Sequence, residues 1–125
     1  MKYLVTILLL ALAAQYSHQA DCDAKGSHDS VWGTRHPTDK VIYEKRVKLD
    51  YKILRKQSVD VYFPPKGSFN DYVISRIEAY DQQSDGTGGC AFISNGGVGQ
   101  TAVTFHLKTQ RGEGLDFLIK IYAQK

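Results

Sequence analysis

The side chains that acid–base chemistry would need are present but scattered along this chain. A hydrolase requires a nucleophile, a base and an orienting acid that are brought together. His36 or His106 with Asp116 would supply a base and an acid, and Glu78 with Asp81 would supply a pair of carboxylates. Their spacing does not distinguish them from ordinary solvated residues on strands. The sequence therefore predicts a protein without enzymatic activity, with a small hydrolase as an alternative.

Metal and nucleotide sites are not indicated by residue spacing either. The histidines and cysteines lack the His-x-x-x-His and Cys-x-x-Cys spacings typical of metal sites. Residues 96–101, Gly-Gly-Val-Gly-Gln-Thr, resemble a phosphate loop but lack its Gly-Lys-Ser/Thr ending and join two predicted strands. We expect the glycines to supply positive φ angles at hairpins and bulges. No cofactor is predicted, and a metal protein remains an alternative only.

Two cysteines, Cys22 and Cys90, follow an N-terminal segment typical of export. An even cysteine count in an exported protein favours a disulfide, and only one intramolecular pairing is available. Intermolecular pairing or two thiols are the alternatives. A bridge between the two cysteines would attach the N-terminal part of the mature chain to the glycine-rich C-terminal part.

Basic residues are concentrated in one segment. Residues 40–56 contain seven lysines and arginines against Glu44 and Asp50, a local charge of +5. Such a run can bind anionic partners, although the commoner role of such charges is to keep a strand edge solvated and unpaired. The residues of the possible anionic-partner face are Lys45, Arg46, Lys48, Lys52, Arg55 and Lys56.

Nucleic acid is not the predicted partner of this basic segment. Tyr43 and Tyr51 are interleaved with the cations, a pattern that can form a stacking face for single strands. No base-reading motif accompanies them, and aromatic residues on strands are ordinary packing residues. The sequence predicts a protein partner or an anionic surface of unknown identity, and it does not indicate an oligomeric state.

The N-terminus predicts a secretory signal peptide over residues 1–20. Lys2 supplies a positive start, and residues 4–14 form an apolar run that is short for a membrane span. A buried helix or a membrane anchor is the alternative. We expect cleavage within residues 14–20, an extracellular location and no membrane span in the remainder of the chain.

The rest of the chain predicts a single all-β domain. Polar residues 21–39 are expected to be irregular, with Val31 and Trp32 as anchors, and residues 40–125 to form the β domain. Apolar residues alternate with polar ones in short runs separated by glycine or proline. This pattern favours a small antiparallel sandwich or partly closed barrel of about seven strands. The expected extended segments are residues 40–48, 51–56, 58–63, 70–81, 90–94, 102–108 and 115–122.

Several short motifs together resemble one family. They are residues 32–35 (WGTR), 63–65 (FPP), 80–82 (YDQ), 85–89 (DGTGG), 93–99 (ISNGGVG), 103–104 (VT), 108–114 (KTQRGEG) and 117–122 (FLIKIY). On these residues the chain is similar to the insect multiprotein bridging factor 2 family, which includes response-to-pathogen proteins and salivary secreted peptides. The resemblance covers roughly residues 31–122.

The resemblance implies two different functions. The founding member is a transcriptional coactivator that bridges a nuclear hormone receptor and the basal factor TFIIA without binding DNA itself. Other members imply a secreted protein of gut, haemolymph or saliva with a defence- or feeding-related role. The signal peptide and the cysteine pair favour the secreted, non-enzymatic binding protein, and the coactivator remains the alternative. The family supplies no catalytic residues.

Overall fold

A computed structural model describes residue 22, residues 28–83 and residues 85–124 of the 125-residue chain. This part contains seven strands and no helix, which confirms the all-β prediction. The strands are β1 (Ser30–Gly33), β2 (Asp39–Leu49), β3 (Ser58–Phe63), β4 (Ile74–Asp81), β5 (Cys90–Gly96), β6 (Val103–Lys108) and β7 (Leu115–Gln124). The predicted signal peptide lies outside the described residues.

The strands form two separate antiparallel sheets. One has four strands in the order β1-β4-β7-β2, and the other has three in the order β3-β6-β5. Side chains from both sheets meet in one core, where the rings of Tyr43 and Phe63 stack at 5.0 Å and those of Trp32 and Phe105 lie 6.4 Å apart. Of the two predicted architectures, the sandwich is therefore the one that forms.

The core follows the alternation seen in the sequence. On β6, Val103, Phe105 and Leu107 are buried while the residues between them are half-exposed. Successive side chains of a strand point to opposite faces, so this pattern places one face of the sheet in the core. β7 is more extensively buried because it lies between β4 and β2, and the outer-facing Asp116 and Tyr122 are also covered.

The connections divide the sandwich into two ends. At the crossover end the chain passes between the sheets three times, after β2, after β4 and after β6. These connections bond to one another: Gly112 N–H donates to Arg55 O at 2.9 Å, and Gln110 Nε2 donates to the carbonyls of Gly86 and Gly88 at 2.9 Å. The opposite end, which we call the cleft end, carries residues 34–38, 64–73 and 97–102.

Two local predictions were wrong. Residues 51–56 were expected to form a paired strand, but they belong to the connection between β2 and β3. Because β2 and β3 lie in different sheets, this connection crosses from one sheet to the other and does not pair with a strand. Residues 21–39 were expected to be irregular, but Ser30–Gly33 pairs with β4. Trp32 lies opposite Ile77 in this pairing and packs toward Phe105, so burial of the indole fixes the strand on the sheet edge.

The glycines near the β5–β6 hairpin have the predicted conformational role. Gly96, Gly97 and Gly99 have φ angles of 67°, 122° and 88°, values that other residues rarely adopt. Gly89 has a different role, because a Cβ atom there would lie 2.3 Å from the carbonyl oxygen of Lys108. Glycine at position 89 therefore permits a close approach of two backbones.

Candidate functional site

A disulfide joins Cys22 to Cys90, as the cysteine count predicted, with the two Cα atoms 5.6 Å apart. Cys22 precedes β1, an edge strand of the four-stranded sheet, and Cys90 begins β5, an edge strand of the three-stranded sheet. The bridge therefore ties together two edges that no hydrogen-bond ladder connects. Its contribution is structural.

A buried polar cluster lies beside this disulfide. His28 Nδ1 is 3.7 Å from Asp81 Oδ2, and the two side chains are 7% and 1% exposed. Burial is the main reason that the pKa of Asp81 is raised. Donor atoms of Cys22, His28 and Cys90 lie within 4.8 Å of one another, a separation compatible with a shared metal ion. Both sulfur atoms are bonded in the disulfide, so neither is the thiolate that a metal would need.

The cationic residues singled out in the sequence lie at two places. Lys45, Arg46 and Lys48 are on β2, at the edge of the four-stranded sheet, and Lys52, Arg55 and Lys56 are in the connection that follows it. The register on β7 places Lys45 opposite Ile119, on the side that faces the core, whereas Arg46 and Lys48 are opposite Leu118 and Asp116 on the outer side. The structure therefore gathers Lys52, Arg55 and Lys56 on one loop at the crossover end.

Arg46 forms a bidentate ion pair with Asp116. Its Nε and Nη2 atoms donate to the two carboxylate oxygens of Asp116 at 2.9 and 2.6 Å. The hydrogen bonds from Arg46 hold the pKa of Asp116 below its usual range. Among the residues that the structure describes, Lys52 and Arg55 form no comparable ion pair. Of the six cations singled out in the sequence, Arg46 is therefore the one whose charge is shown paired with a carboxylate.

The residues considered for hydrolysis do not assemble into a catalytic set. His106 Nδ1 lies 2.6 Å from Asp60 Oδ1 on the neighbouring strand, and Asp116 is bound to Arg46, so the imagined histidine–Asp116 pairs do not form. Glu78 bonds to Arg76 and Asp81 lies beside His28, so these carboxylates do not form a pair. No nucleophile is bonded to a general base at any of these positions.

Sequence inspection did not single out a network around Glu78 on the outer face of the four-stranded sheet. Glu78 is only 7% exposed, accepts a 2.9 Å hydrogen bond from Arg76 Nε, and is bonded by the hydroxyls of Tyr80 and Tyr122. Burial raises the pKa of Glu78, but these hydrogen bonds outweigh it and the pKa is lowered overall. The Arg35 guanidinium lies 4.9 Å from the centre of the Tyr122 ring, over its face.

A cleft of about 890 Å³ lies at the cleft end of the sandwich. At its wall Asp39 is 3% exposed, and Asp39 Oδ2 accepts hydrogen bonds from the Ser75 hydroxyl at 2.6 Å and the His36 backbone N–H at 2.7 Å. These bonds, that from Ser75 first, lower the pKa of Asp39. The Ser75 hydroxyl is therefore bound to a carboxylate rather than to an imidazole. Its hydrogen bond to Asp39 links β4 to β2.

Comparisons with known proteins agree on one family. A family model described as Transcription activator MBF2 matches residues 32–123. A protein of Bombus ignitus named "Probable salivary secreted peptide" is 33% identical over 131 aligned positions, covering 98% of this chain and 93% of that protein. No solved structure matches. In the part of the chain that the structure describes, no helix has the length and apolar character needed to span a bilayer.

Proposed function

The chain belongs to the family of Transcription activator MBF2, and we propose that it is a small secreted binding protein without enzymatic activity that attaches to anionic surfaces. One observation carries the binding part of the proposal: Lys52, Arg55 and Lys56 lie together on one exposed loop at the crossover end. We place this protein in gut, haemolymph or saliva, in a role related to defence or feeding.

Two observations support secretion over the alternative of a nuclear coactivator. The Cys22–Cys90 disulfide is of a kind that forms in oxidising compartments and is rare in the nucleus. The relative that aligns with nearly the whole chain is named as a salivary secreted peptide. The coactivator alternative, bridging a nuclear hormone receptor to TFIIA, is supported by the name of the family model alone.

Secretion is tested by expressing the C-terminally tagged chain in cultured insect cells, with and without residues 1–20. We expect the full chain to appear in the medium, with a new N-terminus at about residues 15 to 21 and no alkylatable thiol. The variant that lacks residues 1–20 is the control and should remain inside the cell. A soluble nuclear product that retains Met1 and carries two thiols would contradict the proposal.

Attachment to anionic surfaces is tested on immobilised heparin with a salt gradient. Neutralising two loop cations, Lys52→Gln and Arg55→Gln, is expected to lower the salt concentration needed for elution, because fewer cations remain to bind the anionic heparin. Retention of the wild-type protein should weaken as the screening length falls to about 8 Å near physiological salt.

The matched control is Lys40→Gln with Lys66→Gln. It removes the same charge at exposed positions away from the crossover end. Its elution should stay close to that of the wild type. Equal shifts for the two double variants would mean that net charge alone governs retention, and salt-independent retention would contradict electrostatic binding altogether.

A further inference from the structure

The connection after β2 exposes an unusual amount of apolar surface. Residues 50–57, which we call the crossover loop, include Tyr51, Ile53 and Leu54, and these side chains are 68%, 75% and 76% exposed. A single exposed apolar residue is ordinary on a protein surface. Three within four positions form a local patch, and such patches mark sites of interaction.

The loop is held in this conformation by its neighbours. Arg55 N–H donates to Lys52 O at 3.1 Å, which closes a turn with Ile53 and Leu54 at its centre. Leu54 has a φ angle of 61°, which is uncommon for a residue other than glycine. Arg111 Nη1 donates to Leu54 O at 3.0 Å and fixes the turn from the adjacent connection. The apolar apex is therefore presented by an ordered turn.

Cations surround this apolar apex. Lys52 precedes Ile53, Arg55 and Lys56 follow Leu54, and Arg111 contacts the turn from the adjacent connection. Asp50 and Glu113 are the carboxylates of the same two connections. Apolar side chains at the centre with lysine and arginine at the rim suit a bilayer interface, where the apolar groups enter the acyl boundary and the cations reach the phosphates.

The convex shape of the apex favours a lipid surface over a protein groove as its partner. A stable protein interface buries about 800 Å² on each side, far more than three side chains on one turn provide. A bilayer needs no complementary pocket, and anionic lipids supply attraction to every cation near the surface. We propose that the crossover loop inserts Tyr51, Ile53 and Leu54 into the interface of membranes that contain anionic lipids. This inference rests on the proposed attachment to anionic surfaces and names the surface.

The test measures binding to phosphatidylcholine vesicles with and without phosphatidylserine. Ile53→Trp places a reporter at the apex, and its emission, after subtraction of the Trp32 signal from the wild type, should shift to the blue only with the anionic vesicles. Ile53→Ser with Leu54→Asn should weaken vesicle binding about tenfold or more, since apolar insertion is lost. Asparagine is chosen at position 54 because it tolerates positive φ.

A control variant, Phe69→Ser with Val73→Ser, removes two exposed apolar side chains at the cleft end, where their exposures are 85% and 56%. It should bind vesicles as the wild type does. Circular dichroism confirms that each variant is folded, and both double variants should keep the wild-type retention on heparin because no charge has changed.

The outcomes separate this inference from the function on which it rests. Loss of vesicle binding in the apex variant, with heparin retention intact, is the expected result. Equal vesicle binding by the apex and control variants, or an emission maximum at position 53 unmoved by anionic vesicles, would overturn the insertion and leave attachment to anionic surfaces standing. Absence of wild-type binding to both heparin and anionic vesicles would overturn both proposals.

Discussion

Replacement of both bridging cysteines, in the Cys22→Ser, Cys90→Ser variant, is expected to lower the free energy of unfolding by about 4 kcal/mol. The bridged cysteines are 68 positions apart in the sequence. Removing the bridge increases the conformational freedom of the unfolded chain between them. In the folded state, removing the bridge also detaches residue 22, which precedes β1, from β5. Urea denaturation of the variant and the wild type measures the difference.

Two further measurements show whether the stabilisation comes from the bridge itself. The wild-type protein should lose a comparable amount of stability on reduction, whereas the serine variant should be insensitive to reductant. Hydrogen exchange should show early loss of protection in β1, which is held on one edge only, with protection retained in the central β7. A serine variant as stable as the wild type would contradict this prediction.

Truncation of Glu78 is expected to have the second largest effect. Glu78→Ala should lower the free energy of unfolding by about 2 kcal/mol, because the hydroxyl groups of Tyr80 and Tyr122 and the Arg76 guanidinium lose their shared acceptor. Glu44→Ala is the matched control on the same outer face. Its carboxylate is exposed and lies 4.0 Å from Lys120 Nζ, so the expected change is about 0.5 kcal/mol or less.

The same network predicts a pH dependence of stability. The folded-state pKa of Glu78 is lowered, so its contribution is present above the unfolded-state pKa of about 4.3 and is lost as the pH falls through the lower folded-state value. Glu78→Gln should therefore flatten the acid limb of a plot of unfolding free energy against pH. The pKa values of Tyr80 and Tyr122 are raised, so their contribution is present below about pH 10 and lost as the pH rises through the higher folded-state values. An acid limb unchanged by Glu78→Gln would contradict the role given to this carboxylate.

The alternation of apolar residues predicted most of this fold. β6 has one face in the core, and glycine-containing connections precede both β6 and β7; both features are local properties of the chain. The strand at residues 30–33 was missed because its pairing with β4 depends on where Trp32 docks. Sequence alone does not show which edge is available to accept a strand.

The crossover loop shows the opposite error. Tyr51, Ile53 and Leu54 have the composition of a strand, yet their neighbours in the sequence belong to different sheets, and the backbone must cross between them. One local signal was available: Ile53 and Leu54 are consecutive, so a strand would have carried apolar residues on both faces. A strand with only one covered face cannot bury both.

The sequence by itself determined the strand-forming runs, the cysteine pair and the concentration of cations in residues 40–56. Tertiary structure decided the surroundings of these cations, since the Arg46 guanidinium pairs with Asp116, 70 positions away, while Lys52 and Arg55 flank an exposed apolar turn. It also created the Glu78 network, whose tyrosines come from two neighbouring strands. Composition and periodicity report what each residue prefers, but partners distant in sequence are set by strand order and register, which depend on how the whole core packs.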